Sequence, residues 1–169
     1  VRHSRAARLA VTAQTVPATG TRVVDGDTVG AEDAHGPKLR IRLVGIDAPE
    51  VGHPRKQGGS TPGQPWGDEA RRVLADLALK QPVELEVYGR DRYKCILAVV
   101  RHGTTNVNEL LVRSGLAWYY RGGRNDAPAA LKRQREAGEA DARQAQRGFW
   151  ADPNPEPPWA FRRWLRLER

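Results

Sequence analysis

Cysteine is almost absent from this chain of 169 residues: Cys95 stands alone. No internal disulfide can form, and a zinc site built on several cysteines is excluded. Long apolar runs are missing as well. The longest uncharged one, Cys95 to Val100, falls far short of the roughly 20 residues that span a bilayer, so no membrane partner is expected. Residues 1–16 lack the apolar core of a secretory leader, because Leu9 to Val16 is interrupted by threonine and glutamine behind Arg2, Arg5 and Arg8. They read as a basic arm. There is no internal repeat, and His3, His35, His53 and His102 are scattered without a cysteine partner for nucleophilic chemistry. Acidic residues are the minority: Lys and Arg total 28 against 20 Asp and Glu, a formal charge of +8. That excess suits a polyanionic partner, and the length suits one domain able to bury a core without disulfides.

Hydrophobic patterning gives the elements. Thr21 to Val29 is rich in β-branched residues and reads as a strand. Lys38 to Ile46 alternates, with Leu39, Ile41 and Leu43 on one face and Arg40 and Arg42 on the other, as a half-buried strand does. Ala31 to Pro37 between them reads as a hairpin connection, and residues 51–65 as a loop. Trp66 to Lys80 carries apolar residues at helical spacing. Val83 to Val87 and Tyr93 to Val100 read as strands. Asn106 caps a short helix over Val107 to Arg113, and a long charged helix opens at Asp126 and Pro128 and closes at Gly148. After Trp150 a proline-rich stretch reads as an extended tail ending in Arg162, Arg163, Trp164 and Arg166. Short strands around one early helix, with helices after the last strand, describe a small Greek-key barrel of the oligonucleotide-binding type.

The chemistry concentrates in Asp25-Gly26-Asp27-Thr28, Arg42 and Asp47-Ala48-Pro49-Glu50. Aspartates delivered by loop ends offer hard oxygen ligands for Ca²⁺ or Mg²⁺. Glu50 is placed to take a proton from a water beside the metal, and the Arg42 guanidinium to hold a phosphate with two hydrogen bonds. Together they describe phosphodiester hydrolysis. The competing account is structural: Asp-Gly is a turn signal, and carboxylates at strand ends are usually solvated.

Val23-Val-Asp-Gly-Asp-Thr-Val29, Arg42-Leu-Val-Gly-Ile-Asp-Ala-Pro-Glu50 and Asn108-Glu-Leu-Leu-Val-Arg-Ser-Gly-Leu-Ala117 resemble the staphylococcal nuclease-like (thermonuclease) family. Arg147-Gly-Phe-Trp150 and Pro157-Pro-Trp-Ala-Phe-Arg-Arg163 resemble the ends of its bacterial members. The resemblance implies a five-stranded barrel with three helices, an α+β fold, and Ca²⁺-dependent hydrolysis of DNA and RNA. It implies Asp27 and Asp47 as calcium carboxylates, the Ala48 carbonyl as a further ligand, Glu50 as general base and Arg42 as a phosphate arginine. Arg92 and Tyr93 match a basic-aromatic pair beside the nucleotide, and Tyr119 and Tyr120 lie near the family's other stacking tyrosines. Single-stranded or frayed nucleic acid is the implied partner, for a monomeric protein of an exported or periplasmic kind. The implied organisation is a flexible arm over 1–19, the nuclease-like domain over 20–150 and a Pro/Trp/Arg-rich tail over 151–169.

One stretch departs from the family pattern. In Asp91-Arg-Tyr-Lys-Cys-Ile-Leu-Ala98, Lys94 stands where glycine is usual and Cys95 where a second phosphate arginine is expected. A thiol cannot donate two charged hydrogen bonds to a phosphorane, and losing one positioned donor costs roughly 10²–10³ in rate. Arg90 and Arg92, and Lys94 through a bulge, are the basic neighbours that offer compensation. Two further functions therefore stand beside a nuclease: a catalytically weakened nucleic-acid-binding module, and an interaction role for the tail through Trp159 and Trp164.

Overall fold

The computed structural model describes residues 13–122 and 127–168. Five strands close a barrel: β1 Gln14–Val23, β2 Thr28–Glu32, β3 Lys38–Leu43, β4 Pro82–Arg90 and β5 Ile96–His102. The order is β3-β2-β1-β4-β5, and β3 closes on β5 in parallel while the other neighbours pair antiparallel. This is the expected five-stranded barrel. Among the described residues four helices accompany it rather than three: α1 Gly67–Ala78, α2 Val107–Arg113, α3 Ala129–Gln144 and α4 Pro158–Leu167, with a 3₁₀ turn at Gly148–Ala151.

Alternation puts Val29, Ala31, Ile41, Leu43, Val83 and Leu85 inside the barrel. Ile96, Ala98 and Val100 of β5 join them, whereas Leu97 and Val99 face the other way, against Val44, Tyr88 and Leu131 of α3. Burial on both faces explains why Ile96 to Val100 of β5 are all apolar, and charge returns only at Arg101, where the strand becomes half-exposed. Helix α1 presents Ala70, Leu74 and Ala78 to this core, and α2 presents Val107, Leu111 and Val112.

Three expectations are corrected. The strand expected over Thr21 to Val29 is two strands, because Asp25-Gly26-Asp27 turns the chain between β1 and β2. Strand β1 begins at Gln14, so residues 14–19 belong to the barrel and not to a flexible arm. Pro17 is tolerated there because β2 pairs with β1 only from Thr19 onward. The tail is not extended throughout: the prolines open α4, with Pro158 and Phe161 buried. Residues 1–12 of the arm, and Asp126 as the opener of the long helix, lie outside the described residues.

Candidate active site

The turn between β1 and β2 lies against α1 and the chain at Ala48. A Cβ on Gly26 would come within 2.6 Å of the Ala70 Cβ and 2.7 Å of the Ala48 Cβ, so only glycine permits this approach. Asp27 is thereby fixed at both ends. Its carbonyl accepts from the Leu43 N–H at 2.9 Å, and its Oδ2 accepts from the Ala48 N–H at 2.9 Å. Thr28 is the cross-strand partner of Arg42, which sets Arg42 beside Asp27. Asp47 follows the turn after β3 and is held by the short pairing of Ile46–Asp47 with Trp118–Tyr119. Both aspartates are buried, at 5% and 1% exposure.

Glu50 is positioned by its backbone. Its N–H donates to Gln64 Oε1 at 3.0 Å, and its carbonyl accepts from the Gln64 N–H at 2.8 Å. Gln64 Nε2 also donates to the Glu156 carbonyl at 2.9 Å, tying Glu50 to the segment that leads into α4. From that helix Arg162 reaches back. Its Nη2 donates to Asp47 Oδ2 at 2.7 Å, and its Nη1 to Asp47 Oδ1 at 3.1 Å and Glu50 Oε1 at 2.6 Å.

These groups open onto one cleft. Asp25, Asp27, Arg42 and Glu50 line it with Arg40, Arg90, Arg92, Tyr93, Tyr120, Trp159 and three arginines of α4, Arg162, Arg163 and Arg166. Burial and the neighbouring Asp25 push the Asp27 carboxyl up to about 7. Burial also raises Asp47, against the opposing pull of Arg162. For Arg42, burial works against the charge, but Asp27 and Asp47 outweigh it and hold the guanidinium protonated.

Such a barrel with a carboxylate and arginine cleft has relatives. The model of the staphylococcal nuclease homologue family matches residues 40–152. The chain belongs to that family. Its relatives include a micrococcal nuclease of Shigella flexneri, 36% identical over 84% of this chain and 78% of the relative. An uncharacterized endonuclease of Escherichia coli is 38% identical over 83% of this chain and 81% of the relative. A staphylococcal-like nuclease of Arabidopsis thaliana, CAN1, is 33% identical over 89% of this chain and 40% of its own length.

Of the residues the nuclease family resemblance picks out, Asp27, Arg42 and Glu50 line the cleft, with Asp47 and Ala48 behind them through the Asp27 and Arg162 contacts. Arg92 and Tyr93 line it from the turn between β4 and β5, the guanidinium carbon 4.8 Å from the ring centroid. Tyr120 lines it too, its ring 5.7 Å from Trp159. Tyr119 does not: it is buried, with Arg121 over its ring at 4.3 Å, because adjacent residues of a strand point to opposite faces. Cys95 is buried, and burial together with Asp91 raises its thiol, which stays neutral. Lys94 is exposed in the turn and does not line the cleft.

Sequence reasoning missed two residues of the site. Gln64 lay in a stretch read only as a loop, and nothing in its spacing links it to Glu50. Arg162 lay in the stretch read as a tail. The signal for it was the helical spacing of Pro158, Phe161 and Leu165 behind a proline pair suited to a helix start.

A divalent cation fits this donor set. Two buried carboxylates face each other's charge, and the guanidinium of Arg162 already stands against one of them as a counter-charge. Among the described residues no group of three His, Cys, Asp or Glu side chains encloses a metal position. A cation here would therefore complete its shell with backbone carbonyl, water and substrate oxygens, as Ca²⁺ does readily.

Proposed function

We propose that this chain is a Ca²⁺-dependent nuclease that hydrolyses phosphodiester bonds of single-stranded or frayed DNA and RNA. The observation that carries this is the convergence of Asp27, Glu50 and Arg42 on one arginine-lined cleft, with Asp47 held directly behind them by the Arg162 fork. In this reading Asp27, Asp47 and the Ala48 carbonyl hold the cation. When bound, the cation polarises the phosphoryl group and lowers the cost of forming hydroxide nearby. Glu50 accepts the proton of the attacking water at a carboxylate oxygen, held in place by Gln64. Arg42 donates its fork to the phosphate oxygens as negative charge builds on them. Tyr93 and Tyr120 offer ring faces to bases, and Arg92 contributes to the path of the backbone.

The neutral thiol of Cys95 favours a second reading, a module on the same fold that binds nucleic acid and cleaves it slowly or not at all. Heat-denatured DNA incubated with Ca²⁺ or with chelator separates the two. The nuclease reading expects cleavage in Ca²⁺ alone, and loss of at least about 10²-fold in Glu50→Gln. Salt-sensitive binding with no cleavage in either condition would establish the binding module instead.

A further inference from the structure

Arg162 comes to the centre of the cleft from α4, outside the segment over which the family model matches. Its guanidinium makes a fork to Asp47 and a third bond to Glu50, and its side chain keeps 32% exposure toward the cleft. Arg42 and Arg162 both line this cleft, and their like charges oppose one another. Two like charges held together beside buried carboxylates make a site for an anion with several oxygens.

The backbone beneath Arg162 is fixed. Pro158 and Phe161 are buried, and the Trp159 ring lies 5.5 Å from Trp118 and 5.7 Å from Tyr120. The Glu156 carbonyl is tied to Gln64, which also holds Glu50. Helix α4 is thus part of the site's wall, and the long Arg162 side chain reaches from it into the cleft. Position 95, in contrast, supplies no charge. Its thiol is buried next to Asp91, with Arg40 and Arg42 as the neighbouring cations.

A phosphodiester under attack spreads negative charge over its equatorial oxygens, more than one guanidinium matches. We propose that Arg162 is a catalytic residue of this site, the second guanidinium that grips the scissile phosphate alongside Arg42 in place of any cation at position 95. The inference rests on the nuclease reading. In the free protein the fork of Arg162 is satisfied by Asp47 and Glu50. With Asp47 holding a cation, the fork of Arg162 would be released from it and would turn to the phosphate oxygens. The same movement releases Glu50 Oε1 to accept the proton of the attacking water.

The test compares the parent chain with Arg162→Ala by single-turnover cleavage of an oligonucleotide, by calorimetric titration with Ca²⁺ alone, and by thermal melting. Cleavage is expected to slow by roughly 10²–10³-fold. Ca²⁺ binding is expected to tighten, because the cation that competes for Asp47 is gone. Opposite movement of rate and affinity is what a merely structural arginine would not give. If Arg162→Ala does not melt cooperatively, Arg162→Gln, which keeps most of the stem and removes the charge, carries the same expectation. Cleavage at the parental rate overturns the inference. So does faster cleavage, which would make Arg162 a plug, and so does a joint fall of rate and Ca²⁺ affinity. If the parent itself cuts nothing in Ca²⁺, the nuclease reading falls and takes the inference with it. If the parent cuts and the variant cuts as well, the inference falls alone.

Discussion

Asp27 is held in the folded protein with its carboxyl raised from 3.8 to about 7 by burial and by Asp25. A raised carboxyl adds stability below its ordinary value and loses that contribution as pH climbs through about 7. The metal-free protein is therefore expected to melt at lower temperature as pH rises from about 4 to 8, and Asp27→Asn to lack this component. Its melting temperature relative to the parent should climb across that window. A cation needs the ionised form, so Ca²⁺ should raise the parent's melting temperature at about pH 8 and do little at about pH 5. Equal Ca²⁺ increments at the two pH values would count against Asp27 as a ligand. Lys94 illustrates a different cost. It adopts φ 65°, a left-handed conformation that closes the turn in which Asp91 Oδ1 accepts from the N–H groups of Tyr93 and Cys95. Such a conformation costs a side-chain-bearing residue roughly 1–2 kcal/mol, and glycine gives back about 0.4–1 through the unfolded chain. Lys94→Gly is expected to stabilise by about 0.5–1 kcal/mol in urea denaturation, and a loss of stability would refute the strain. The sequence flagged this residue as a departure from glycine; the backbone angle gives the reason.

At the scale of elements, Asn108 of α2 does more than its place in a motif reveals. It is fully buried, its Oδ1 accepts from the Val100 N–H at 3.0 Å, and its Nδ2 donates to the carbonyls of Val44 at 3.1 Å and Ala98 at 3.2 Å. One side chain thus joins α2, β5 and the turn after β3 that leads to Asp47. Asn108→Leu keeps the size and strips these partners, and it is expected to cost roughly 2–4 kcal/mol in denaturant unfolding. A cost below about 1 kcal/mol would mean that water replaces the amide. Helix α2 itself was legible to the residue, since Asn106 caps it through the Glu109 N–H and the expected span Val107 to Arg113 is the observed one. Strand β3 was legible from alternation. Helix α4 was not, because its proline lead-in looks extended and its burial depends on Trp118 and Tyr120, which are remote in sequence. Strand β1 was half missed for a similar reason. Gln14 to Gly20 has few apolar residues, and its pairing with β4 is a long-range matter that local patterning does not carry.

At the scale of the whole molecule, the excess of +8 is not spread evenly in effect. Seven arginines, Arg40, Arg42, Arg90, Arg92, Arg162, Arg163 and Arg166, line the same cleft as the carboxylates. Composition indicated a polyanionic partner; only the closure of β3 on β5 and the return of α4 put those charges on one face. Arg42 and Arg162 are engaged by Asp27, Asp47 and Glu50, whereas Arg163 and Arg166 are exposed on α4 and free to meet the backbone of a strand beyond the reacting phosphate. Each phosphate neutralised on a single strand contributes about 0.7 to the slope of log affinity against log salt. Replacing Arg163 and Arg166 together by alanine is therefore expected to flatten that slope by about 1.4 for an oligonucleotide bound in chelator. The single-turnover rate at saturating oligonucleotide should stay near the parent's, since neither residue touches the carboxylates. A slope unchanged by the double substitution would place the strand away from α4, and the path of the nucleic acid would then run from Arg42 toward Arg90 and Arg92 alone.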